Sequence, residues 1–256
     1  MKAMKESHSK SQYKLQILQE KKAPKTAKEL ALIKRAQRIT EIAYDVATKA
    51  MKVGMTEQMI ANIIVAVMKE NGATELAFSP IVAFGKNTAH IHHDVGNTKL
   101  KDGDMVMIDI GAGYKGYCSD MTRTFVFCLP AQAGNASKAQ EKMWNTVKKA
   151  KDASIEALRK GERRTWVIDS IARKIIERAY GKKAFAHSLG HGVGTVIHEW
   201  PSFSPRSTDL VPPNTVMTVE PGIYKKGFGG VRLEDMVLVK KNGIEILTKT
   251  PEKLSL

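Results

Sequence analysis

Residues 109–120 read DIGAGYKGYCSD and set two aspartates, Asp109 and Asp120, on either side of a Gly-Tyr-Lys-Gly centre. A hairpin with Tyr114-Lys115 at its tip and Gly113 and Gly116 flanking it brings Asp109 opposite Asp120. Directly opposed residues on antiparallel strands have Cβ atoms about 5 Å apart, where like charges repel. A cation between the two, or a proton on one, removes the repulsion. So does a pairing with one aspartate inside and the other at the solvent edge. The stretch VEPGIYKKGFGGVRLED repeats the arrangement, since a loop centred on Gly227 opposes Glu220 and Glu234. Two such pairs suggest one acidic site holding more than one cation.

Six of the seven histidines fall in two clusters. HIHHD holds His90, His92 and His93, and HSLGHGVGTVIHEWP holds His187, His191 and His198 among Gly190, Gly192 and Gly194. The small residues predict a close approach of backbone and metal. His198-Glu199 is followed by Trp-Pro, so there is no HExxH zinc helix. A Walker loop and a Rossmann glycine fingerprint are also absent, and GHGVG has no serine for a nucleophile elbow. Four carboxylates and an imidazole form a hard, oxygen-rich donor set suited to Mn²⁺, Fe²⁺, Co²⁺ or Zn²⁺. Two such ions roughly 3.5 to 4 Å apart hold a bridging water and yield hydroxide near neutral pH, which makes hydrolysis the natural chemistry.

The elements that carry these residues alternate in kind. Apolar residues at helical spacing (Leu30, Ile33, Ala36 or Gln37, Ala43, Val46, Ala50) predict a helix over 27–51. Thr56 caps a second helix over 57–70 that Asn71-Gly72 closes. Short β-prone runs follow, namely FSPIVAFG, MVMIDIGAGY and YCSDMTRTFVF. Helical patterns return at 136–160 and 165–180, and strands again at GTVIHEW, VMTVEPGIY, VRLEDMVLV and GIEIL. Helices, strands, helices, strands is an α+β order in two similar halves, without a repeat in the sequence itself.

The 256 residues suffice for one large domain, and 43% hydrophobic with 26% charged residues is ordinary for a globular protein. No apolar run reaches the roughly 18–20 residues of a membrane span, and MKAMKESHSKSQYK lacks the apolar core of a secretory signal. A cytoplasmic location is expected. Cys118 and Cys128, about 33 Å apart on one extended strand, are expected to remain thiols. The net charge is +15, and residues 1–40 hold eleven Lys or Arg against three Glu. Residues 1–24 are read as a basic flexible extension. They are either a solvated tail or a contact for a ribosome, RNA or another anionic surface.

Asp, Asp, His, Glu and Glu in this order closely resemble the pita-bread metallopeptidases. DIGAGYKGYCSDMTRTF, GHGVGTVIHEWP, TVEPGIY and GVRLEDMVLV resemble the Xaa-Pro branch (prolidase and aminopeptidase P) over residues 27–256. The resemblance implies a pita-bread fold, two pseudo-symmetric halves with a curved antiparallel sheet covered by helices. It implies that Asp109 chelates one metal, His191 and Glu220 bind the other, and Asp120 and Glu234 bridge both. Glu220 is then also the general base and proton shuttle. His92 and His198 contact the scissile carbonyl and substrate, and His187 stands behind the ligands. Arg232 either binds a substrate carboxylate or orients a metal ligand. The implied cofactor is two divalent ions, Mn²⁺ first, with Co²⁺, Fe²⁺ or Zn²⁺ as alternatives.

Residues 25–256 are expected to form the catalytic domain without the separate N-terminal domain usual in the Xaa-Pro branch. The expected partners are peptide substrates, with a homodimer as a further candidate and no membrane. The compact size is closer to a methionine aminopeptidase, which keeps methionine removal as an alternative. A pita-bread module that has lost catalysis and binds RNA or protein is another.

Overall fold

The computed structural model describes residues 23–129 and 136–256. The basic extension read over 1–24, either a solvated tail or a contact for a ribosome or RNA, lies outside the described residues except for Ala23 and Pro24. Ala23 is buried and Pro24 makes an isolated bridge to Thr215, so the described chain joins the fold at once.

Two helices open each half. In the first half they are α1 (Ala27–Ala50) and α2 (Glu57–Glu70), and in the second α3 (Lys138–Arg159) and α4 (Thr165–Tyr180). The starts of three are written in the sequence. Thr26 and Ser137 form capping boxes with Glu29 and Gln140, and Thr56 Oγ1 accepts from the Met59 N–H. Each such cap contributes about 1 kcal/mol. Helix α1 buries Ile33, Ala36, Ile39, Ala43 and Ala47, but Val46, expected on that face, is 42% exposed. The buried stripe continues through Tyr44 and Ala47 instead.

In the first half β2 (Ile81–Phe84), β3 (Met105–Ile110) and β6 (Met121–Val126) form an antiparallel sheet, while β1 (Glu75–Leu76), β4 (Ala112–Tyr114) and β5 (Tyr117–Cys118) form a smaller one. The second half has a five-stranded sheet in the order β13 (Ile244–Ile246), β12 (Asp235–Val239), β9 (Thr215–Val219), β7 (Gly190–Gly192), β8 (Glu199–Phe203). A ribbon of β10 (Gly222–Lys225) and β11 (Gly229–Arg232) stands beside it. One apolar core gathers Ile60, Ile64, Phe84, Ile108 and Phe125 under α1 and α2. A second gathers Trp144, Val147, Ile168, Phe185 and Met217 under α3 and α4. The two halves meet where the Glu234 N–H donates to Thr122 O and where Thr124 Oγ1 exchanges hydrogen bonds with the Arg232 backbone.

Two strand expectations are corrected. Tyr114 pairs with Tyr117, so the hairpin tip is Lys115-Gly116, with φ of +50° and +78°. Positive φ at both central residues suits the turn that matches strand twist. Asp109 therefore pairs with Thr122 rather than with Asp120. The slip is two residues, which leaves both aspartates on the face expected for them. The second correction concerns GTVIHEW, which is extended only from Glu199 onward. Residues 194–198 instead form a loop around the Glu199 carboxylate, which accepts from the Thr195 N–H at 2.6 Å and pairs with buried Lys25 at 2.6 Å. Both cysteines are free thiols and are buried, and Cys118 and Cys128 do not share one strand. Among the described residues no helix is long and apolar enough to cross a membrane.

Candidate metal centre

All five residues expected as ligands line one pocket of about 910 Å³. Asp109 comes from β3 and Asp120 from the link between β5 and β6, both in the first half. His191 comes from β7, Glu220 from the turn after β9, and Glu234 from the link between β11 and β12. The β9–β12 and β10–β11 pairings share one register about Gly227, with Val219 facing Asp235 and Gly222 facing Arg232. Glu220 and Glu234 sit opposite each other between those pairs. Ligand atoms of Asp120, His191 and Glu234 lie within 4.8 Å of one another. His191 Nε2 stands 3.2 Å from Glu220 Oε1 and 3.6 Å from Asp120 Oδ2.

The glycines around His191 serve the backbone. A Cβ on Gly190 would meet the Thr218 carbonyl at 2.1 Å, and one on Gly194 would meet the Glu199 carboxylate at 2.1 Å. They let β7 lie close to β9 and let the 194–198 loop fold onto Glu199.

A shell of donors surrounds the candidate ligands. Thr122 Oγ1 donates to Glu234 Oε2 at 2.8 Å and accepts from Arg232 Nε at 3.1 Å. Arg232 Nη2 donates to Asp109 Oδ2, and its Nη1 donates to Tyr224 Oη and the Ile91 carbonyl. All three guanidinium nitrogens are thus engaged within the fold. That favours the orienting role for Arg232 over capture of a substrate carboxylate. Thr218 Oγ1 accepts from the His191 N–H and donates to Glu220 Oε1. His187 hydrogen-bonds none of the candidate ligands; its Nε2 meets Tyr224 Oη at 2.8 Å and its Nδ1 meets the Ser188 carbonyl at 2.8 Å. No local pattern in the sequence distinguishes Thr122, Thr218 or Tyr224.

The electrostatics are those of crowded acids. Burial raises Asp120 well above the usual carboxylate range, with Glu234, Asp109 and Glu220 adding to the shift. Burial likewise raises Glu234, with Glu220 and Asp109 adding. Asp109 is raised by burial against the opposing charge of Arg232. Burial also works on Glu220, but the hydrogen bond and charge of His191, with His187 and Arg232, outweigh it and hold Glu220 at about 2. Asp109 Oδ1 and Glu234 Oε1 are buried without any hydrogen-bond partner. Hard oxygen donors that repel one another and lack donors of their own fit divalent cations.

The rim has a different character. His92 and His198 are exposed in the pocket, and the His198 ring sits 4.3 Å from that of His191. Burial, then the charges of His191 and His92, lowers the His198 pKa. Phe78, Pro80, Ile81, Ile91, Val95 and Ile197 supply apolar walls. His90 does not line the pocket, while His93 does but binds Glu57.

Residues 31–241 match the model of metallopeptidase family M24. The Xaa-Pro dipeptidase of Pyrococcus furiosus is 38% identical over 239 residues, which is 93% of this chain and 66% of that protein. The crystal structure of an X-Pro aminopeptidase from Thermotoga maritima superposes with a TM-score of 0.84 at 35% identity, over 91% of this chain and 65% of that one. The Xaa-Pro dipeptidase of Bacillus anthracis does so with 0.84 at 35%, over 91% and 64%. The chain spans less than two thirds of the length of these relatives. The shared architecture is the pita-bread fold, with its antiparallel sheets and covering helices.

Proposed function

The chain belongs to metallopeptidase family M24, and from that premise we propose that it is an exopeptidase that releases the N-terminal residue of peptides at Xaa-Pro bonds. The observation that carries the proposal is the convergence of Asp109, Asp120, His191, Glu220 and Glu234, from both halves, on one pocket with two partnerless carboxylate oxygens. Residues 25–256 act as its catalytic domain.

These five residues would hold two divalent cations, Mn²⁺ first and Co²⁺, Fe²⁺ or Zn²⁺ as alternatives, which supply Lewis-acid polarisation of the scissile carbonyl and acidify water. Glu220, in the pocket with His191 Nε2 3.2 Å from its Oε1, takes the proton of the attacking water and passes it to the departing nitrogen. His198 and His92, exposed in the pocket, donate to the carbonyl oxygen as its negative charge grows. Arg232 keeps Asp109 aimed, and Tyr224 and Thr122 keep Arg232 in place. A bond to proline nitrogen has no N–H to recognise. The apolar walls from Phe78 to Ile197 suit a pyrrolidine ring better than a polar subsite would.

The test is hydrolysis by the Mn²⁺-loaded protein, with Co²⁺ as control, of Ala-Pro, Ala-Pro-Ala-Ala, Met-Ala-Ser and Ala-Ala-Ala. Cleavage confined to the proline peptides is expected, and the ratio of the first two separates dipeptidase from aminopeptidase. Cleavage of Met-Ala-Ser alone would make the protein a methionine aminopeptidase. Silence on all four with metal bound would leave a binding module.

A further inference from the structure

Glu57 is the first residue of α2, is fully buried, and belongs to neither the ligand set nor its supporting donors. Its carboxylate takes four hydrogen bonds, two on each oxygen. Oε1 accepts from the Phe84 N–H at 2.9 Å and from Asn87 Nδ2 at 2.9 Å. Oε2 accepts from His93 Nε2 at 2.9 Å and from the Gly96 N–H at 3.1 Å. A carboxylate only accepts, so His93 donates through Nε2. All four donors come from one stretch, 84–96, which leaves β2, makes the turn Gly85–Ala89 and enters the pocket. The clasp continues in the backbone, where the Gln58 N–H donates to Gly96 O and the Glu57 N–H to Thr98 O. From the other side, Thr88 Oγ1 accepts from the Gly230 N–H and Ile91 O accepts from Arg232.

His92 stands between these two anchors and is itself exposed in the pocket. It has no described hydrogen bond to fix it, so its place is set by the stretch that carries it. We propose that Glu57 is a positioning residue that sets where His92 stands over the substrate by clasping residues 84–96. The inference rests on the Xaa-Pro peptidase reading. His93, one residue away, is held through Nε2 by Glu57.

The chemistry requires a carboxylate. Glutamine offers one oxygen and one NH₂, so one of the two donor pairs would face donors, and a buried backbone N–H would lose its acceptor. Glu57→Gln should keep the fold and the metal ligands but let 84–96 shift, and small displacements of a catalytic group cost about 10- to 100-fold in rate.

Two measurements decide. The first needs no activity. In metal-free protein labelled with ¹⁵N-histidine, Glu57→Gln should move the imidazole signals of His92 and His93 and leave those of His187, held by Tyr224 and Ser188, in place. Unmoved His92 signals in the folded variant would overturn the proposal. The second is a double-variant cycle on an Xaa-Pro peptide. Glu57→Gln should lower kcat/KM about 10- to 100-fold in the native background and cause no further loss in a His92→Ala background, because it acts through His92. Losses that multiply would make Glu57 independent of His92 and overturn the proposal. If the native protein cleaves no Xaa-Pro peptide, the peptidase reading fails, while the imidazole signals still decide the role of Glu57. Should Glu57→Gln not fold, Asn87→Ala removes one of the four donors, and His92 should move in the same direction by a smaller amount. No movement there would count against the clasp equally.

Discussion

Glu220 stands beside His191 and Thr218 with 17% of its side chain exposed, against 7% for Asp120. Its loss should therefore be felt in turnover before it is felt in folding. Glu220→Gln keeps the shape and removes the proposed base, and kcat should fall about 10²- to 10⁴-fold in protein that remains folded. A rate near that of the native protein would remove Glu220 from the proton-transfer role. Thr122 tests the opposite, buried side. Its hydroxyl links Glu234 to Arg232 and is fully enclosed. Thr122→Val keeps the volume and leaves the Arg232 Nε–H without its acceptor, at a cost of about 1–3 kcal/mol. Mn²⁺ affinity should drop about 10- to 100-fold, measured by calorimetric titration alongside urea unfolding. An unchanged affinity would mean that Glu234 is aimed by something other than Thr122.

The strands show why the acid cluster is legible in the sequence and its supports are not. A hairpin with its tip one residue too early pairs Asp109 with Asp120 instead of Thr122, yet a two-residue slip keeps every side chain on its face. The charges converge in either register, while Thr122, the true partner of Asp109, stays hidden. Glu220 and Glu234 sit opposite as expected because two successive ladders share one register about Gly227. Glu57 and Tyr224 are different in kind. Their roles depend on contacts with stretches that no period or turn signal connects to them, such as Glu57 with Gly96 and Tyr224 with His187. Helix caps at Thr26, Thr56 and Ser137 are local and therefore readable. Elements also meet through charges that titrate. Glu245 on β13 binds Lys34 of α1 and Lys240, and these hydrogen bonds lower its pKa from 4.5 to about 2. A depressed carboxylate stabilises the fold above its unfolded pKa, and that stability is lost as pH falls through the folded value. The advantage of the native protein over Glu245→Gln should thus be constant from pH 7 to about 5, shrink between about 4.5 and 2, and vanish below. Parallel unfolding curves across pH 7 to 2 test it, and an advantage that persisted at pH 2 would show that the pair is not the source.

At the scale of the molecule, the candidate ligands are divided between the halves, Asp109 and Asp120 in the first and His191, Glu220 and Glu234 in the second. The seam is also held on the face away from the pocket. There the Arg123 guanidinium binds Glu234 O and Asp235, while Lys151 of α3 pairs with Asp235 and Glu252. Cations that bind only when both halves are in place must stabilise the two together, because binding to the folded state alone adds RT ln(1 + [L]/Kd), about 2.7 kcal/mol at a hundredfold excess over Kd. Titrating Mn²⁺ into metal-free protein should therefore raise one cooperative thermal transition rather than split it. EDTA should return it to the start, and Asp120→Asn should lose most of the rise. A titration in which only part of the signal moved would mean that the ion is held by one half alone. No shift at all, with Mn²⁺ in large excess, would mean that these five residues do not form a metal site in the folded protein. The acid crowding would then have to be relieved by protons, in the direction that the raised Asp120 and Glu234 already indicate.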